Sequence, residues 1–298
     1  MARNRNLHLV VTDSGLGGLS ICAELERNLR HANFYQNVRI TYFNAWPDPQ
    51  SGYNDLPDMQ SRAGVFNGAL IRMARLEPDR IVIACNTLSI LYGMTEFSRT
   101  TLIPILGIID AGVDLFCEAL NADPLGAIVL LGTRTTIQSR VHRDRLVQKG
   151  IQDSRITATS CHGLAAAIEK DPESRAVTDL IEECVSEACE AGPRSERLYV
   201  GLCCTHYTYV KELIRAAFER QSGKSIHILD PNHRVAGCVA PGEAEALVAP
   251  ARTRMRVEVI SKVALDDNQR RALAKQVEPV SAVTARALLS YTHQPDLF

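Results

Sequence analysis

Short apolar, β-prone runs alternate with helix-length segments along this chain, and that alternation narrows the possible folds more than any other feature. Residues 7–12, 38–43, 80–84, 127–131, 156–159, 198–202 and 225–229 are strand-length runs rich in Val, Ile and Leu, with a further short run at 103–106. Between them, residues 19–29, 59–75, 111–120, 139–149, 174–190 and 210–219 carry apolar side chains at helical spacing. Strands joined through helices run parallel, and their crossovers are right-handed. The expected class is therefore α/β, with mainly parallel sheets.

Two of these strands end alike. Arg80-Ile81-Val82-Ile83-Ala84 stops at Cys85-Asn86-Thr87, and Leu198-Tyr199-Val200-Gly201-Leu202 runs into Cys203-Cys204-Thr205-His206. Ligands of open α/β sheets bind outside the carboxyl ends of the strands, so both thiols are expected at one crevice. The turns before them also correspond. Asp13-Ser14-Gly15-Leu16-Gly17-Gly18 follows the first strand, and Thr133-Arg134-Thr135-Thr136 follows the strand at 127–131. Residue 13 precedes residue 85 by 72 positions, and residue 133 precedes residue 204 by 71. This reads as an internal duplication: two pseudo-symmetric α/β lobes facing a central cleft ringed by Asp13, Cys85, Thr133 and Cys204. The glycine turn lacks Gly-x-Gly-x-x-Gly spacing and opens on an acid, so it is not a dinucleotide fingerprint.

Toward the C-terminus, residues 254–259 alternate like a strand, while 242–248, 266–276 and 280–291 are expected to be helical. The tail 292–298 is expected to be loose. No linker divides the chain, so the lobes should exchange segments. Residues 1–107 with 225–298 are assigned to the lobe of Asp13 and Cys85, and 108–224 to the lobe of Thr133, Glu169, Cys204 and His206.

Composition excludes several partners. The formal net charge is −1 and basic residues form no blocks, so neither nucleic acid nor an anionic membrane surface is expected. No apolar run approaches the roughly 20 residues that span a bilayer. Nine cysteines, an odd number at irregular spacing with no secretory h-region, point to reduced thiols and a cytoplasmic location. Cys203, Cys204 and His206 lack the paired spacing of a zinc site, and no metal is expected.

With Asp13-Ser14-Gly15-x-Gly17-Gly18, Cys85-Asn86-Thr87 and Cys204-Thr205-His206 in this order, the chain resembles the aspartate/glutamate racemase superfamily. The likeness extends over nearly the whole chain. It includes Thr133, Thr135, Thr136 and Ser139, and the stretch 161–169, similar to the family segment whose glutamate lies near the catalytic histidine. It implies two cysteine bases, no cofactor, and interconversion of the enantiomers of an acidic amino acid, with glutamate the first candidate. Such an activity would supply D-glutamate for cell-wall synthesis. A homodimer is compatible with this reading. Three departures stand out. The loop after the second strand reads Pro49-Gln50-Ser51-Gly52-Tyr53-Asn54 where glutamate racemases usually carry Pro-Tyr-Gly. Cys203 replaces a small residue, and Leu88 replaces an alanine.

The α-proton of an amino acid is very weakly acidic, so its removal needs a well-placed, desolvated base. Cys85 and Cys204 are the candidates, one for each face of the α-carbon. Asp13 is a candidate for orienting the substrate ammonium, though an Asp there also suits a helix N-cap. His206 is placed to tune Cys204, and Glu169 to orient His206. Ser14, Asn86, Thr87, Thr133, Thr135, Thr136 and Thr205 offer short donors for carboxylate and ammonium groups, as do Gly52 and Tyr53 in the departed loop; hydroxyls after strands also serve as caps. Cys203 should point away from the cleft by strand alternation. Cys22, Cys117, Cys184, Cys189 and Cys238 are read as packing residues. The competing functions are racemisation of aspartate or another acidic amino acid, and a catalytically silent binder of an acidic metabolite.

Overall fold

The computed structural model describes residues 6–192, 195, 197–239 and 252–298. The chain runs β1 (Asn6–Asp13), α1 (Leu19–Ala32), β2 (Asn37–Asn44), α2 (Met59–Ala74), β3 (Arg80–Ile83), α3 (Asn86–Tyr92), α4 (Phe97–Thr100) and β4 (Ile105–Gly107). It continues through α5 (Ile108–Ala122), β5 (Ala127–Gly132), α6 (Arg134–Gln138), α7 (Val141–Gln148), β6 (Ile156–Ser160), α8 (Leu164–Lys170), α9 (Arg175–Ala191) and β7 (Leu198–Cys203). The remaining elements are α10 (Lys211–Ser222), β8 (Ile226–Leu229), α11 (Pro231–Gly237), β9 (Arg254–Ser261), α12 (Asp267–Val277), α13 (Ala282–Leu289) and β10 (Thr292–His293). The helix expected at 242–248 lies outside the described residues.

Two sheets result, one six-stranded in the order β10-β9-β2-β1-β3-β4 and one four-stranded in the order β6-β5-β7-β8. Every pairing within them is parallel. The order β2-β1-β3-β4 repeats as β6-β5-β7-β8, which is the internal duplication seen as topology. Register completes the correspondence. Thr12 pairs with Ile83 at the end of β1 and β3, and Gly132 pairs with Cys203 at the end of β5 and β7. Asp13 and Thr133, each next along, therefore emerge beside the strands that deliver Cys85 and Cys204.

The central strands are apolar on both faces because helices cover both. All six residues of β5 are buried, and Ile81, Val82 and Ile83 are fully buried in β3. Leu9, Val11 and Tyr42 pack with α1, α11 and α13 on one face of the six-stranded sheet. Val10, Phe43 and Ile83 pack with α2 and α3 on the other. Around the four-stranded sheet, Val129 and Val200 meet α8, α9 and α10, while Ile128 and Cys203 meet Phe116 of α5.

Four expectations need correction. The run 225–229, assigned to the first lobe, forms β8 and pairs with β7 from Leu198↔Ile226 to Gly201↔Leu229. After the α10 crossover, the open edge of β7 is the nearest hydrogen-bonding partner for that apolar run, so the four-stranded sheet extends past residue 224. The helix expected over 139–149 starts only at Val141, as α7, because Arg140 before it has a left-handed φ of 57°, and the turn expected at 133–136 runs into a separate short helix, α6. The tail is not loose: β10 pairs with β9, Leu297 is buried, Phe298 packs 5.7 Å from Phe43, and the Lys262 ammonium lies 4.6 Å from the Phe298 ring. Finally, the cysteines are not all reduced. Cys161, after β6, and Cys184, in α9, are disulfide-bonded with Cα atoms 5.3 Å apart. Their separation of 23 residues carries no pairing signal; the packing of α9 against the sheet brings them together.

Candidate active site

A cleft of about 490 Å³ opens at the carboxyl ends of β1, β3, β5 and β7. Asp13, Ser14, Gly52, Tyr53, Cys85, Asn86, Thr87, Thr133, Thr135, Thr136, Glu169, Cys204, Thr205 and His206 all line it. Residues from positions 13 to 206 thus meet in one place because the two lobes present corresponding strand ends to each other.

Cys85 caps α3, its sulfur accepting from the Leu88 amide at 3.5 Å and lying 3.2 Å from Ser14 Oγ. Burial pushes the Cys85 thiol up, and the nearby Asp13 charge adds to this, against hydrogen bonds from Ser14 and Leu88. The group therefore rests protonated. Asp13 is 1% exposed, and its Oδ2 accepts from Thr205 Oγ1 at 2.7 Å. Burial raises the Asp13 pKa despite the attraction of His206 and the Thr205 hydrogen bond.

Cys204 follows β7, with its sulfur 3.8 Å from His206 Nδ1. The other ring nitrogen, Nε2, lies 2.6 Å from Glu169 Oε2. Burial alone would lower the His206 pKa, but hydrogen bonds and charge from Cys204 and Glu169 raise it well above the ordinary value. Glu169 is itself anchored: Oε2 accepts from the Leu16 amide at 2.8 Å and Oε1 from Gln269 Nε2 at 3.0 Å. A Cβ on Gly17 would stand 2.5 Å from His206 Nδ1, so only glycine lets the first loop approach this pair. Tyr42 Oη, donating to Gly15 O at 2.7 Å, holds that loop in place.

On the far wall, the hydroxyls of Thr87, Thr133 and Thr136 lie 3.0–3.2 Å from one another. Thr133 also caps α6 through the Thr136 amide, so it serves both the fold and the cleft. Two buried polar atoms here have no hydrogen-bond partner among the described residues, Tyr53 Oη and Asn86 Nδ2. Both lie beneath the cleft wall rather than on its accessible surface. Gly52 is placed differently from the expectation that its amide holds a substrate carboxylate, because that amide donates to Asp55 Oδ2 at 2.7 Å.

Arg62 was not singled out from sequence. It donates from Nη1 to Thr135 Oγ1 at 2.8 Å and from Nη2 to Leu56 O at 2.9 Å, tying the loop before α2 to the opposite lobe. Its partners lie at positions 56 and 135, so no local pattern marks it. Among the described residues, no group of three or more His, Cys, Asp or Glu side chains is placed to hold a metal ion, and no helix is long and apolar enough to cross a membrane.

Comparison with known proteins identifies the family and the fold. Glutamate racemase of Deinococcus radiodurans is 29% identical over 232 residues, which cover 77% of this chain and 72% of the relative. That of Persephonella marina is 26% identical over 212 residues, covering 70% and 73%. The crystal structure of a Bacillus anthracis glutamate racemase isoform shares the fold at a TM-score of 0.63 and 18% identity, covering 98% of this chain and 97% of that one. A Francisella tularensis glutamate racemase solved with D-glutamate gives 0.64 and 19%, covering 92% and 94%. A profile described as Asp/Glu/Hydantoin racemase matches residues 12–237, and the chain belongs to that family.

Proposed function

We propose that this protein interconverts the L- and D-enantiomers of an acidic amino acid, glutamate first, using Cys85 and Cys204 as acid and base without a cofactor. The observation that carries this reading is the pair of cysteines at corresponding strand ends of one cleft, each with its own polar escort. Ser14 and Asp13 attend Cys85; His206 and Glu169 attend Cys204. A protein that only bound an acidic ligand would need neither sulfur. The names of the relatives at 29% and 26% identity support glutamate as substrate.

In this scheme the substrate's α-carbon lies between the sulfurs. Cys204 takes the proton of the L-enantiomer while Cys85, resting as a thiol, delivers one to the opposite face. Asp13 receives the ammonium, and the threonine hydroxyls at the far wall receive the carboxylates. Charge building on the α-carboxylate as the proton leaves is stabilised by donors already in place. Aspartate is the second reading, favoured by the commitment of the Gly52 amide to Asp55.

Chiral separation after incubation with a panel of L-amino acids, without pyridoxal phosphate or metal, tests the activity. Cys85→Ser and Cys204→Ser should each lower kcat about 10²–10⁴-fold, since a hydroxyl is a far weaker acid than a thiol. Cys238→Ser, at an exposed position, should leave turnover intact. Near-normal turnover in either active-site serine variant would overturn the two-thiol assignment.

A further inference from the structure

The hydrogen bond from Gln269 to Glu169 carries the inference furthest. Glu169 sits on α8, whose Leu164 and Ile168 pack in the core of the four-stranded sheet. Gln269 comes from α12, whose Leu273, Ala274 and Val277 are buried in the core of the six-stranded sheet. Both side chains line the cleft. Glu169 Oε2 is shared by the Leu16 amide and His206 Nε2, whereas Oε1 accepts from Gln269 Nε2 alone among the described residues, at 3.0 Å. A carboxylate held at one oxygen can pivot about it; one held at both has a fixed plane. Gln269 is itself fixed, because its backbone amide and that of Asn268 donate to Asp266, the cap of α12.

We infer that Gln269 is a positioning residue: by donating from Nε2 to Glu169 Oε1, it fixes the plane of that carboxylate so that Oε2 faces His206, the neighbour of Cys204. This rests on the racemase reading above, in which Cys204 is a base. A carboxylate only accepts, so the glutamine presents its nitrogen. A neutral donor suits the place. It orients Glu169 without cancelling the charge that, with Cys204, holds the His206 pKa well above the ordinary value against burial. A lysine there would bring a competing cation. A second contact joins α12 to the turn after α8, from Lys275 Nζ to the Glu173 carboxylate at 2.7 and 2.9 Å, but both side chains are exposed and neither lines the cleft. That contact docks the helix; the one from Gln269 reaches the chemistry. Gln269 lies beyond residues 12–237, so neither the motifs nor the family profile marks it.

The test compares Gln269→Met, which keeps the length of the side chain and loses the donor, with Lys275→Met, which breaks only the exposed contact. Initial rates with L-glutamate and with L-aspartate should show kcat lowered about tenfold in the Gln269 variant, the scale of one hydrogen bond to a charged group. KM should stay within about twofold, since Glu169 acts through His206 and not on the substrate. Gln269→Asn, whose amide is one carbon short of Oε1, should behave alike. ¹⁵N NMR of the protein labelled at histidine gives a readout independent of activity. With Glu169 free to swing away, His206 should lose its proton at lower pH than in the wild type. Asp13 and Cys204, which also face His206, are untouched by the substitution. Lys275→Met should leave both kcat and the titration as in the wild type. Unchanged kcat in the Gln269 variants, a His206 titration that stays or moves upward, or the same losses in Lys275→Met each overturns the inference. If the wild-type protein racemises neither amino acid, the racemase reading fails, while the titration still decides whether Gln269 positions Glu169.

Discussion

At the scale of single residues, the site depends on what each charge faces. Glu169 lies 2.6 Å from His206 and accepts from Leu16 and Gln269, so it is held in place as well as charged. Its charge helps raise the His206 pKa well above the ordinary value, against burial, which lowers it. Glu169→Gln keeps an oxygen for Leu16 and His206, and Gln269 can turn its amide to accept from the new one. The substitution therefore removes charge more than structure. His206 should then lose its proton at lower pH, and a kcat profile that depends on imidazolium beside Cys204 should fall earlier on its alkaline side. Measuring kcat against pH for both proteins checks this; an unmoved alkaline limb would show that the pair does not tune Cys204. Residues of this kind were legible because the motif segments concentrate them: Asp13, Cys85, Cys204 and His206 all sit at or just after strand ends. Arg62 was not, since it meets Thr135, more than fifty positions away, only in the fold.

At the scale of elements, strands were the easiest to read because burial on both faces leaves no choice of side chain. The observed β5 and β7 each end one residue beyond the expected apolar runs. Features set by tertiary contact were not readable. Arg140, in a left-handed conformation, separates α6 from α7 where composition would allow helix, and the tail is ordered by Phe43 and Lys262, both distant in sequence. The Cys161–Cys184 bond belongs to the same class. It fastens the turn after β6, where Cys161 lines the cleft, to α9, close in sequence to the helix that carries Glu169. Alkylation of the denatured, unreduced protein should therefore label the seven free cysteines, and reduction should raise the count to all nine. Nine labelled thiols without reduction would rule the bond out. A closed loop of this length contributes about 3 kcal/mol of stability in the chain-entropy account, so Cys184→Ala should lower the melting temperature only under oxidising conditions.

At the scale of the whole molecule, the repeated strand order sets one sheet's carboxyl edge against the other's, and cross-lobe hydrogen bonds close the pair. Thr205 donates to Asp13, Leu16 to Glu169, and Arg62 to Thr135. A duplicated scaffold offers what one lobe cannot, a sulfur from each half at one cleft, and in the proposed function the two approach a bound carbon from opposite sides. If Cys85 and Cys204 act in this way, the proton that appears in product comes from a different group than the one that accepted the substrate's proton. Thiols exchange with water readily, so in D₂O newly formed product should carry deuterium at the α-carbon. Substrate recovered early should remain protiated, because the thiol that removed its proton returns that same proton unless exchange intervenes. A single base serving both faces would label substrate and product together from the first turnovers. Running the reaction from each enantiomer adds the assignment of faces, with Cys204 meeting the L-form and Cys85 the D-form. Equal early labelling of both enantiomers by mass spectrometry, from either starting side, would exclude two independent thiols and require one group to reach both faces of the carbon.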